Sequence, residues 1–230
     1  MTPAAPHPIA PARACHPSSD SATITVLGIG NLLWADEGFG VRCVEAFQQR
    51  HELPAHVELV DGGTQGLYLI QHVQASTHLL IFDAVDYGLP PGTLKIVDDD
   101  EVPRFMGAKK MSLHQTGFQE VLMLVQLTER FPQHVRLIGC QPEVIDDYGG
   151  SLSMVVKATM DAAVALGAQT LRDWGVDVRP RTRPLSTAET LTVDTLAMAA
   201  YEAGRPAARE ACRVGDERFM PGGTAAREGA

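Results

Sequence analysis

Short apolar runs that end in glycine or a carboxylate alternate with stretches of helical periodicity through the middle of this chain. No other feature restricts its fold as much. Thr23–Gly28 is a β-branched run closed by glycine, and Gly38–His51 then spaces Val41, Val44 and Phe47 three apart, as on one helix face. Val57–Val60 reads as a strand and ends in Asp61-Gly62-Gly63. Gln65–Val73 reads as a helix with Leu67, Ile70 and Val73 in phase, and His78–Asp83 as a continuous apolar strand. Leu94–Val97, introduced by Pro90-Pro91-Gly92, is a fourth strand. His114–Arg130 carries the clearest helical pattern, with Phe118, Val121, Leu122, Val125 and Leu127 on one side and Pro132 as its stop. Val135–Cys140 is a fifth strand, and Ser151 is placed to cap a long helix through Val155, Met160, Val164 and Leu171. Such alternation implies an α/β sandwich with a mainly parallel sheet. Ligands of parallel sheets gather beyond the carboxyl ends of the strands. Glu37, Asp61, Asp83 and the 141–150 loop all follow strand ends, so they are expected to share one rim.

The chain has 230 residues, 45% hydrophobic and 20% charged, enough for one core. The compact domain is expected over 21–178. Residues 1–20 are rich in proline, and the chain after Val178 turns to Arg-Pro repeats and then to an Ala/Glu/Thr-rich stretch. Neither segment offers enough apolar surface to offset the entropy of ordering. They are read as a disordered tail at 1–20 and a largely disordered one at 179–230. Within the second, Leu191, Val193, Leu196, Met198 and Ala199 allow a short helix. The formal net charge of −9 with no Lys/Arg block lacks the basic footprint of a nucleic-acid binder, and the acidity reads as a solubility property. The four cysteines include no CxxC, as in a reduced cytosol. No apolar core of roughly 7–15 residues marks a signal peptide, and no run of roughly 18 apolar residues marks a membrane span. A cytoplasmic protein is expected, and a monomer by default, since no exposed heptad or long apolar patch is apparent.

Glu37, Asp83 and His114 are the candidate metal ligands. Asp83 ends the apolar run Leu79–Phe82 and should face the rim, although capping the segment after it would equally explain a carboxylate there. Glu37 begins a helix, where the dipole alone favours an acid. His114 opens another, where the dipole keeps the imidazole neutral and able to ligate. The remaining histidines lie in tails, in polar loops or at element ends without acidic companions. Gly28-x-Gly30 after the first strand raises a dinucleotide-binding alternative, with Asp61 where a ribose-binding acid would stand. The third glycine of that fingerprint is replaced by Leu33, which leaves the phosphate loop incomplete. A non-hydrolytic nucleotide- or metal-binding module of Rossmann-like fold is therefore the alternative reading.

At these same residues the chain resembles the hydrogenase maturation endopeptidases, which process the large subunit of nickel–iron hydrogenases. The likeness is carried by Gly28-Ile29-Gly30-Asn31-Leu32-Leu33-Trp34-Ala35-Asp36-Glu37-Gly38-Phe39-Gly40, Asp61-Gly62-Gly63-Thr64, Asp83-Ala84-Val85-Asp86-Tyr87-Gly88, Ser112-Leu113-His114-Gln115 and Gly139-Cys140-Gln141-Pro142-Glu143. It covers about 23–176. The resemblance implies a three-layer α/β/α sandwich with a five-stranded, mostly parallel twisted sheet. It also implies that Glu37, Asp83 and His114 engage nickel that the large-subunit precursor already carries, rather than a resident cofactor. The activity implied is removal of the precursor's C-terminal extension, with Asp83 and an auxiliary carboxylate, Asp61, as catalytic candidates. Against that stands a structural role for Asp61 in holding the Gly62-Gly63 turn. Asp36 and Asp86 read as supports. The closeness of the Gly30–Glu37 stretch to one subgroup points to an uptake-type hydrogenase as client.

Overall fold

The computed structural model describes residues 22–103 and 113–206, and the side chains of residues 113–116 lie outside that description. The expected strands form one five-stranded sheet: β1 Ile24–Ile29, β2 Val57–Gly63, β3 His78–Ala84, β4 Leu94–Asp98 and β5 His134–Cys140. Their order is β2-β1-β3-β5-β4, with every pairing parallel except that of β4, which runs antiparallel along β5 at one edge. The larger helices are α1 Phe39–Arg50, α2 Ile70–Ala75, α3 Leu113–Leu127, α4 Met154–Lys157, α5 Met160–Asp173 and α6 Met198–Ala203.

Successive strand residues point to opposite faces, and both faces are apolar. Ile24, Val26, Leu80, Phe82 and Ile138 meet Phe39, Val44 and Phe47 of α1 and Met160, Val164 and Leu171 of α5. Leu27, Ile29, Leu79, Ile81 and Leu137 meet Leu69, Val73 and, on α3, Phe118, Val121 and Val125. The result is the three-layer α/β/α sandwich. Among the described residues no helix is long and apolar enough to cross a membrane.

Three details differ from the sequence reading. Gln65–Val73 begins as a 3-10 turn, Gly66–Leu69, before α2. The helix expected from Ser151 is in two pieces, α4 and α5. The Thr159 hydroxyl between them donates to the Val156 carbonyl (2.8 Å), a local bond that competes with continuous helix. The residue that caps α4 is Ser153, whose hydroxyl accepts from the Val156 N–H, while Ser151 Oγ donates to Glu202.

Contacts also continue beyond Val178, where the compact domain was expected to end. Arg179–Pro180 pairs antiparallel with His51–Glu52, and α6 begins at Met198, near the end of the stretch whose pattern allows a short helix. The tail expected at 1–20, like residues 207–230, lies outside the described residues.

The sheet's carboxyl rim is closed by an unusually near approach of backbone to backbone. A Cβ on Gly40, at the start of α1, would stand 2.2 Å from both the Ile29 and Phe82 carbonyl oxygens. Gly30 has a φ of 143°, and a Cβ there would stand 1.8 Å from the Glu37 carbonyl oxygen. These glycines bring the Ala35–Gly38 turn and the first turn of α1 directly onto the ends of β1 and β3. Gly40→Ala meets two carbonyls that cannot rotate aside, so it is expected to destabilise the fold by about 2–4 kcal/mol. Urea unfolding measures this directly; an unchanged midpoint would contradict the packing described.

Candidate functional site

The rim is assembled around Asp36. This residue is 0% exposed, in a one-turn 3-10 helix, Ala35–Gly38. Its carboxylate accepts from the backbone N–H groups of Glu143 (2.9 Å), Val144 (2.8 Å) and Ser153 (2.6 Å) and from the Ser153 hydroxyl (2.9 Å). Its own N–H donates to the Val144 carbonyl. Trp34 forms isolated bridges with Tyr148 and Gly150, and its ring meets that of Tyr148 edge-on with centroids 5.3 Å apart. The 143–153 loop and the turn before α1 are thus one unit, and Glu37 is the next residue after its anchor. Asp36 is the support that the sequence suggested.

Glu37 is 8% exposed, and burial pushes its carboxyl up to about 7 from the ordinary 4.5. Its turn lies against the end of β3, which carries Asp83, itself fully buried. Asp83 falls on the strand face of Leu79 and Ile81, the side covered by α2 and α3. The α3 helix, with His114 in its first turn, begins on that same side: Gly117 comes against the backbone of Gly66, in the turn before α2. The His114 side chain is outside the described residues. Among the described residues no group of three His, Cys, Asp or Glu side chains converges as a metal site. Glu37 and Asp83 thus share the rim, beside the helix that bears His114.

Asp61 stands elsewhere. The strand expected to stop at Val60 continues through Gly63, so its pleat fixes the direction of Asp61. Asp61 is level with Gly28 and, across β1, with Phe82, on the α1 face. It is therefore on the opposite face from Asp83 and two strands away, about 9.6 Å along the sheet. Burial raises its carboxyl first, the neighbouring Glu45 adds to that, and the Gly63 N–H and Arg42 act against both. The hydrogen bond from Gly63 is the turn-holding role left open by the sequence.

Two side chains given no role by the sequence reading shape the surroundings of Asp83. Gln141 Oε1 accepts from the N–H groups of Tyr87 (2.7 Å) and Leu89 (3.2 Å), and its Nε2 donates to Asp86 Oδ1 (3.0 Å). This fixes the loop after Asp83, with Asp86 as a support. The Tyr87 hydroxyl occupies the space where a Cβ on Gly139 would be, and Gly139 is the β5 partner of Asp83. Burial pushes the Tyr87 phenol up, and the charge of Asp83 pushes it further. The sequence signals for both were a position soon after a strand end and a place in the family-like stretches Asp83–Gly88 and Gly139–Glu143.

The glycines that suggested a dinucleotide are accounted for by the chain itself. A Cβ on Gly28 would meet the Gly40 carbonyl at 2.5 Å, so Gly28 and Gly30 make room for the start of α1 rather than for a pyrophosphate.

The raised Glu37 carboxyl has a definite linkage to stability. Between its unfolded value near 4.5 and about 7 the folded chain holds a proton that the unfolded chain has released. Its contribution is fully present below 4.5 and is lost as pH rises through about 7. Glu37→Gln should therefore stabilise the protein at pH 8 by up to about 3 kcal/mol, with the gain vanishing near pH 4. Urea unfolding at the two pH values checks this; an equal effect at both would count against a desolvated carboxyl.

Comparison with known proteins identifies the family. The HycI family model, described as hydrogenase maturation protease, matches residues 41–170. The hydrogenase expression/formation protein HoxM of Cupriavidus necator is 65% identical over 198 residues, 86% of this chain and 98% of its own. The hydrogenase 2 maturation protease of Escherichia coli is 42% identical over 159 residues, 69% of this chain and 96% of its own. The solved structure of the hydrogenase maturating endopeptidase HybD from E. coli superposes with a TM-score of 0.66 at 40% identity, covering 69% of this chain and 98% of that one. The chain belongs to the hydrogenase maturation protease family and is an endopeptidase.

Proposed function

We propose that this endopeptidase removes the C-terminal extension of a [NiFe] hydrogenase large-subunit precursor. It recognises the precursor through nickel already bound there, and the client is a hydrogenase of the uptake type. The observation that carries the reading is the placement of two buried carboxylates, Glu37 and Asp83, at one strand-end rim beside the helix of His114. A divalent ion with open coordination positions is attracted more strongly to carboxylates in a desolvated site than to carboxylates in water. One imidazole and two carboxylates form a borderline-to-hard donor set that suits divalent nickel.

In this scheme the substrate supplies the metal. Glu37, Asp83 and His114 complete its coordination and thereby hold the scissile peptide at the rim. Nickel next to that peptide polarises its carbonyl or acidifies an attacking water, the ordinary services of a metal in hydrolysis. Asp83, beside the Tyr87 ring and with its loop held by Gln141, is the carboxylate proposed to touch the reacting groups. Asp61, on the other face of the sheet, is proposed to act on the turn that it caps. The family membership supports a peptidase over a non-hydrolytic binding module, and so does the filling of the Gly28–Gly30 space by the chain's own backbone.

Incubation of the protein with nickel-loaded precursor, followed by mass analysis of the precursor's C-terminus, tests the reading. Glu37→Gln, Asp83→Asn and His114→Ala should each slow processing by at least about 100-fold, while Asp61→Asn keeps more of the activity than any of them. Normal processing by all three variants would sink the proposal.

A further inference from the structure

Residues 181–205 run along the outer side of α1 from its C-terminal end to its N-terminal end, held by side chains at each stage. Arg181 donates from its backbone N–H to the Arg50 carbonyl (2.7 Å) and from its guanidinium to the carbonyls of Gln48 and His51 (both 2.9 Å). One turn on, the Gln48 amide takes both roles, donating to the Glu189 carbonyl (2.7 Å) and accepting from the Leu191 N–H (3.0 Å). Near the start of α1, buried Arg42 donates to the Leu196 carbonyl (2.6 Å) and lies under the Tyr201 ring, 5.8 Å from its centroid. The strap then leaves α1 for the rim.

There Glu202 and Arg205 grip the loop that holds Asp36. Lys157 Nζ donates to both oxygens of Glu202 (2.7 and 2.8 Å), the Ser151 hydroxyl donates to one of them (2.8 Å), and Arg205 donates to Asp147 (2.6 Å). Ser151 is two residues from Ser153, the double donor to Asp36, and Asp147 adjoins Tyr148, the partner of Trp34. A continuous set of polar contacts therefore joins the strap to the turn of Glu37. The match with the E. coli protease, 159 residues long, is too short to reach from β1 to Glu202, so such a strap is an addition to the shared domain.

We propose that this strap is a brace for the metal-recognition rim, and that Glu202 is a positioning residue: by holding Ser151 and Lys157 it sets the 143–153 loop, and through Asp36 it sets Glu37 in the place that nickel-bearing precursor requires. The proposal rests on the reading of Glu37 as a ligand for the precursor's nickel. It assigns Glu202 a role in discrimination, not in the chemical step. Lys157 and Glu202 are each about one-third exposed (36% and 34%), where an ion pair adds little to global stability and its geometry matters more.

The test compares binding of nickel-loaded and nickel-free precursor to the full chain, with melting temperature and processing rate measured alongside. Glu202→Gln is expected to lower the preference for nickel-loaded precursor on the order of tenfold, as a KM effect with kcat retained, and to leave the affinity for nickel-free precursor and the melting temperature unchanged. The reversed pair, Glu202→Lys with Lys157→Glu, should recover most of the preference. A Glu202→Gln protein that keeps its preference, or loses it only together with its melting temperature, overturns the brace. Glu37→Gln separates the two readings. If it loses the preference while Glu202→Gln keeps it, the brace alone fails; if it too keeps the preference, the ligand reading fails and the brace with it.

Discussion

A buried carboxylate that accepts four hydrogen bonds holds this rim together, and the geometry of the site depends on it. Asp36 gathers donors from Glu143, Val144 and Ser153, residues more than a hundred positions away in sequence. Bonds to an ionised acceptor are roughly twice as strong as neutral ones. They are opposed by local strain, since Ala35 sits at a φ of 42°, a left-handed backbone that disfavours a side chain by about 1–2 kcal/mol. Such a conformation persists only where its surroundings overdetermine it. Here the surroundings are Asp36 on one side and the bare backbone of Gly30 and Gly40 on the other. Together they leave the Glu37 turn a single position, against the ends of β1 and β3.

The layers were legible in the sequence because they are written in periodicity. A period of two or of three to four residues records which face is apolar, and this chain has apolar strands bounded by glycine and acid. The shared rim was legible for the same reason, through strand ends. What failed was local. Asp61 reads as the residue just past a strand that stops at Val60, because Asp61-Gly62-Gly63 looks like a strand terminator. Pairing with β1 carries the strand through those residues, and the pleat then assigns Asp61 to the α1 face. A three-residue question of strand length thus decided which face Asp61 joins. Ser151 and Ser153 posed a similar choice, settled by which hydroxyl had Asp36 and which had Glu202 to bond.

The C-terminal segment was illegible for a different reason. Composition measures apolar surface, and this segment has little, so it reads as a tail. It is held instead by Arg42, Gln48 and Lys157, polar side chains of the compact domain that bind its backbone or Glu202, and by its own Arg181, which donates to carbonyls at the end of α1. Each donor looks like an ordinary surface residue in the sequence. Contacts between residues 45 to 154 positions apart leave no periodic trace.

Burial of carboxylates such as Glu37 and Asp83 is a poor choice for stability and, on the proposed reading, an apt one for recognition. In water a carboxylate gains little from a passing cation, because solvent screens the attraction; in a desolvated site the same approach gains several times more. A carboxyl raised to about 7 is also half protonated near neutrality, so a weakly held ion must first displace a proton. A site of this kind responds weakly to dilute free metal and strongly to a divalent ion delivered at high local concentration on a docked protein. The cost is borne by the rest of the rim, which explains why a turn bearing one desolvated acid is fastened by a second acid with four bonds of its own.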